Sequence, residues 1–184
     1  MKKLLILLLI PILLVGLTAC GSKNTNTKTN QKTIVLEDKK LGFKTTFSYD
    51  VKEKFSDIEY SDEGASREVE FDNDELDAEF QMYYNTMTDT SYNTNKDVRS
   101  HQKYYKEYTF GKYKAYAYSD FSNNIKLNIL LNENKNKMYD ILFVSIDRLD
   151  NDNSIVMAEV LDDEVLQDFF KSMKFEKTTN KQQK

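Results

Sequence analysis

Apolar and polar positions alternate with period two along much of this chain. Leu76, Ala78, Phe80, Met82 and Tyr84 interleave with Asp77, Glu79 and Gln81, which predicts a strand with one buried face. Ile125, Leu127, Ile129 and Leu131 alternate with Lys126 and Asn128, and Phe43, Thr45, Phe47 and Tyr49 form a third such run. Met138 to Ile146 (MYDILFVSI) is apolar on nearly both faces, which places it centrally in a sheet. Further strands are expected at 33–37, 67–72, 104–110 and 112–119. Short polar gaps at 73–74, Gly111 and 132–136 suit hairpin turns, so the sheet is expected to be mostly antiparallel.

The period changes near the end. Leu161, Val165, Leu166, Phe169, Phe170 and Met173 make one apolar helical face, with Asp163, Glu164, Gln167, Asp168 and Lys171 on the other. Asp162 is the expected N-cap, with Leu161 and Leu166 as a hydrophobic staple. A weaker helix is expected from Asn95 to about Lys103. The predicted class is α+β: a mostly antiparallel sheet with a C-terminal helix packed on it.

The first residues follow a different rule. Met1-Lys2-Lys3 precedes an apolar run from Leu4 to Val15, then Gly16 and Leu17-Thr18-Ala19-Cys20. A cationic start, an apolar middle and small residues before a cut point form a secretion signal. The Leu-Thr-Ala-Cys string resembles the lipobox of bacterial lipoprotein precursors. That resemblance implies a diacylglyceryl group on the Cys20 sulfur, cleavage before Cys20 and a mature N-terminus there. An uncleaved membrane helix is the alternative; Leu4–Cys20 has 17 residues, at the bottom of the spanning range, and Pro11 interrupts it. Either way the chain is held at a membrane, on its extracytoplasmic side for a lipoprotein, and two acyl chains make a durable anchor.

Composition divides the remainder. Residues 21–32 (GSKNTNTKTNQK) carry three Lys, no acid and no large apolar side chain, so 20–32 reads as a flexible tether. Its basic sign suits anionic lipid head groups. Residues 33–175 are the expected globular domain, holding 18 basic and 29 acidic side chains, and 176–184 a polar tail. A domain of that size buries enough surface for a core without disulfides. One Cys and one His exclude a disulfide framework and a Cys/His zinc site. A net charge of −4 argues against a nucleic-acid partner.

A Gly-Phe-x-x-x-Phe strand at 42–47, hairpins, a middle helix and a closing DFFKSMKF helix-to-strand segment resemble the PsbP-like fold. The resemblance covers about 33–175 and rests on element order. It implies an α/β/α sandwich and accessory or binding roles in place of catalysis. One departure stands out: many members follow the first strand with Tyr-Pro-x-x-Trp, whereas Tyr49-Asp50 here leads to Phe55 with neither Pro nor Trp.

The charge is concentrated at 57–79, where eleven carboxylates face one base, Arg67. With a turn at Asn73-Asp74, Phe71 faces Leu76 and Val69 faces Ala78. That register sets Glu68 opposite Glu79, Glu70 opposite Asp77 and Asp72 opposite Glu75. Like charges directly opposite each other cost up to ~1 kcal/mol per pair. Either a neighbouring strand supplies Lys (Lys112, Lys114, Lys126), or the face is a solvated edge guarded against aggregation. Otherwise the carboxylates form a dock for a basic protein or cationic peptide, or hold a divalent cation loosely. Neither DNDELD (72–77) nor DRLDNDN (147–153) has the Gly and closing Glu of a calcium loop, so no specific metal ligand is assigned.

Six tyrosines fall between Tyr104 and Tyr118; packing across a hairpin is the favoured reading, an exposed anchor surface the other. Catalytic chemistry has little to work with. His101 stands among polar neighbours, and no Gly-x-Ser-x-Gly elbow, phosphate-cradling Gly loop or His metal pair is present. No nucleotide and no cofactor is expected. The remaining enzymatic route is a carboxylate pair acting on cell-wall glycan. The sequence therefore favours a lipid-anchored, non-catalytic binding or accessory factor for an envelope complex. A peptide or small-molecule binder, such as a self-immunity lipoprotein, is the second reading.

Overall fold

A computed structural model describes residues 30–53, 55–61, 66–72, 77–121, 124–134, 136–148 and 160–178. Cys20, the signal segment, all but the end of the tether and Glu75 lie outside the described residues. Ten strands and two helices are described. In chain order they are β1 (Gln31–Asp38), β2 (Phe43–Asp50), β3 (Phe55–Ser61), β4 (Ser66–Asp72), β5 (Asp77–Thr88) and α1 (Asp89–Ser100). Then follow β6 (Tyr104–Phe110), β7 (Tyr113–Phe121), β8 (Asn124–Glu133), β9 (Met138–Arg148), α2 (Glu164–Lys171) and β10 (Lys174–Lys177).

Seven strands form one sheet in the order β3-β4-β5-β9-β8-β7-β6, and three form a second in the order β1-β2-β10. Every described pairing is antiparallel. The doubly apolar β9 sits at the centre of the large sheet, as its pattern predicts. Its even-numbered residues Leu142, Val144 and Ile146 join Phe80, Met82, Leu127 and Ile129 in the core.

The small sheet and α2 cover that inner face. Phe169 and Phe170 occupy the seam: Phe169 stacks on Phe47 at 4.7 Å and on Phe55 at 4.5 Å, while Phe170 meets Phe80 edge-on at 6.3 Å. The Tyr84 hydroxyl ties the two sheets through the Leu36 carbonyl (3.0 Å) and Thr45 Oγ1 (2.7 Å). Gly42 takes φ +67°, and the Thr178 amide donates to its carbonyl at 2.7 Å. A Cβ there would stand 2.5 Å from the Thr178 carbonyl oxygen, so this position needs glycine on two grounds.

The structure corrects the expectations at several points. The N-cap of α2 is Asp163, whose carboxylate accepts from the Leu166 amide at 3.0 Å; Asp162 instead binds Lys106 Nζ at 2.6 Å. The middle helix starts at Asp89, six residues before the predicted Asn95, because Thr88 caps it by accepting from the Ser91 amide. β3 has no strict alternation and is an addition, whereas β10 is the strand on which the DFFKSMKF helix-to-strand segment is expected to close. β1 reaches back to Gln31, inside the span assigned to the tether, and β10 extends to Lys177, inside the assigned tail.

The β4–β5 register also differs from the prediction, by two residues. Phe71 pairs with Ala78 and Val69 with Phe80, so each large ring or branched chain meets a partner of complementary size. A shift of two preserves which face each side chain takes. It changes which charges meet.

Candidate functional site

The outer face of the large sheet is divided in two. At the β6–β9 end, α1 lies across it. Tyr92 of α1 is buried against Tyr116 and Tyr139, with centroids 5.5 and 5.2 Å apart, and Tyr105 and Tyr118 flank Tyr116. Burial pushes the Tyr92 hydroxyl up to about 12, and the Tyr116 hydroxyl upward as well. The clustered tyrosines are thus mainly packing residues.

The other end carries the acidic positions. Glu68, Glu70 and Asp72 of β4 share the outer face with Asp77 and Glu79 of β5. Glu70 lies opposite Glu79 and Asp72 opposite Asp77, replacing the predicted Glu70–Asp77 and Glu68–Glu79 pairs. The predicted Asp72–Glu75 pair is also replaced, and Glu75 itself falls outside the described residues. Glu68 faces Gln81, whose amide nitrogen donates to Glu68 Oε1 at 3.2 Å and to Glu79 Oε1 at 3.3 Å. A neutral amide therefore bridges two of the carboxylates, where a lysine was one expectation.

β9 extends the row. Asp147 lies opposite Glu79, and Asn124 of β8 opposite Asp147. Asn124 Nδ2 bonds both Asp147 and Ser145 Oγ, and Lys126 Nζ reaches Ser145 Oγ at 2.8 Å. Lys126 thus meets the β9 hydroxyl rather than the β4–β5 acids. Asp147 belongs to this face although nothing in its local sequence ties it to the 57–79 run; only the β5–β9 pairing brings them together.

Arg67, the one base of the acidic run, has the opposite parity. Its guanidinium points to the inner side, where Nη1 donates to the Val35 carbonyl at 2.7 Å, and burial lowers its pKa. Beside the acids, Tyr83 stacks on Phe143 at 5.4 Å and 16°, and Tyr83 is 44% exposed. The surface therefore joins a row of carboxylates to a stacked aromatic pair whose Tyr83 is exposed and whose Phe143 is half-buried.

Among the described residues no group of three His, Cys, Asp or Glu side chains is placed to hold a metal ion. No described helix is long and apolar enough to cross a membrane. No family model and no curated protein matches the chain. Among solved structures, LpqN of Mycobacterium tuberculosis, described as involved in cell envelope biogenesis, is similar: TM-score 0.46, 6% sequence identity, covering 80% of this chain and 92% of that one. A likeness of that degree carries no function across.

Proposed function

We propose that this chain is a lipid-anchored extracytoplasmic binding domain without catalytic chemistry, an accessory factor of an envelope complex. Its outer face, from Glu68 and Glu70 through Glu79 to Asp147, is the dock for a basic protein or peptide partner. The observation that carries this reading is the row Glu70–Glu79–Asp147 across three adjacent strands, beside the exposed Tyr83 stacked on Phe143. Carboxylates steer a basic partner and set its register, while an aromatic anchor supplies contact area. The lipobox at Leu17–Cys20 supplies the location. With α1 on one face of the large sheet and α2 and the small sheet on the other, the architecture supports the PsbP-like reading.

The test places a photo-crosslinking amino acid at Tyr83 of the full chain in intact cells, with and without Glu70→Lys/Glu79→Lys. A discrete crosslinked partner carrying a basic contact segment, lost on charge reversal, is the expected result. An unchanged crosslink after reversal overturns the acidic dock. Mass spectrometry of the purified protein tests the anchor: an unacylated, uncut Cys20 overturns it.

A further inference from the structure

A cavity lies on the other side of the molecule, between β2, the start of β3 and α2. Its volume is about 430 Å³, within the usual range for ligand pockets. Half-buried Tyr49 and Val165 form its apolar wall, backed by the buried rings of Phe55 and Phe169; Tyr49 and Phe55 are 5.1 Å apart. Asp50, Glu53, Glu164 and Asp168 stand around that wall, and no Lys or Arg is among its described lining residues.

We propose that this cavity binds a cationic amphipathic peptide. One apolar side chain rests on Tyr49 and Val165, and flanking Lys or Arg groups meet the four carboxylates. Charge complementarity selects the cation: the carboxylates come from three separate elements and converge on one apolar wall, so a ligand needs both an apolar body and positive charge to satisfy it. The existing competitor is weak. Lys171 approaches Asp168 at 3.6 Å along α2, with both side chains about half exposed or more.

Position favours a ligand at the membrane surface. Gln31, the first residue of β1, lines the cavity. Ten residues, 21–30, separate it from Cys20, a span of at most about 40 Å even for a fully extended chain. This placement rests on the lipid-anchor reading; the cavity chemistry does not.

The chain has no Trp, so the emission of a Trp-bearing probe is its own. The full chain, reconstituted in phosphatidylcholine vesicles, is titrated against the amidated peptide Lys-Lys-Trp-Lys-Lys. Saturable binding with a blue-shifted Trp emission is expected. Glu53→Lys/Glu164→Lys should weaken it about tenfold or more, and Glu53→Gln/Glu164→Gln by less; both pairs lie at the rim and leave the core intact. Glu70→Lys/Glu79→Lys removes only the share that the outer face takes, so the blue-shifted binding and its dependence on Glu53 and Glu164 should persist. Binding indifferent to the rim variants overturns the inference. If only the Glu70/Glu79 reversal abolishes binding, the cation goes to the outer face, and the cavity inference fails while the proposed dock stands. Binding without a blue shift, displaced by spermine, means that charge alone is read and the amphipathic occupant is wrong.

Discussion

Glu70 lies directly opposite Glu79 across the β4–β5 ladder, and Asp147 continues the row beyond Glu79 on β9. Adjacent like charges on an exposed sheet face each cost a few tenths to about 1 kcal/mol, and salt screens them. Melting temperature should therefore rise with ionic strength. Glu79→Gln, which sits in the middle of the row, should raise stability at low salt by about 0.5–1 kcal/mol and flatten the salt dependence. If the row is relieved by screening alone, Mg²⁺ and Na⁺ should act alike at equal ionic strength. A melt series with both salts checks this; a distinct Ca²⁺ or Mg²⁺ step would contradict it.

Asp140 is 2% exposed, and its carboxylate meets Lys177 Nζ at 2.6 Å and Asn132 Nδ2 at 3.1 Å. Taking the ammonium away leaves a buried charge with less to hold it. Removing one partner of a fully buried pair costs about 3–5 kcal/mol; the half-exposed lysine lowers that figure, so Lys177→Met should cost about 2 kcal/mol. Lys177→Met/Asp140→Asn should recover most of the loss, because the neutral amide needs no counter-charge. Urea unfolding of the single and double variants separates the two effects.

Much of this fold was legible because alternation survives wherever one sheet face is buried. β2, β5, β8 and β9 keep it, and the central place of β9 follows from its second apolar face. β10 has four residues, too few to show a period, and pairs with β2 only after α2 turns the chain back; the resemblance's helix-to-strand ending predicts the strand but not its pairing partner. The β4–β5 register escaped for a related reason. Slipping by two leaves both faces apolar and polar as before, so only side-chain size and the β9 neighbour select it. Of the acidic site, Glu68, Glu70, Asp72, Asp77 and Glu79 were visible as a run. Asp147 and the Tyr83–Phe143 pair belong to it only through strand order.

Asn128 of β8 is 1% exposed, and its amide nitrogen is buried without a hydrogen-bond partner. It stands between Phe143 and Tyr116 in the outer-face ladder, among apolar rings. A buried unsatisfied donor costs about 1–3 kcal/mol, and leucine keeps the same γ-branched skeleton of four heavy atoms. Asn128→Leu should therefore stabilise the domain by about 1 kcal/mol, read as a higher urea midpoint with unchanged slope. A loss of stability would mean that the amide is engaged by an ordered water.

Alkaline titration should reveal the tyrosine cluster under α1. The Tyr92 hydroxyl, ordinarily near 10, is pushed up to about 12, chiefly by burial and then by the charges that Tyr105, Glu107 and Tyr139 present to it. Tyr116 is raised in the same direction, chiefly by burial. Below pH 10 the phenol is neutral whether the chain is folded or not, so its stabilising effect is fully present. Between about 10 and 12 the unfolded chain ionises while the folded one does not, so stability falls as pH rises through that window. Tyrosinate absorbance should therefore show a class of residues that ionises together with loss of ellipticity. Tyr92→Phe keeps the ring contacts with Tyr116 and Tyr139 and removes the ionising group, so stability should fall less steeply over the same interval. An unchanged slope would show that the alkaline transition begins elsewhere than beneath α1.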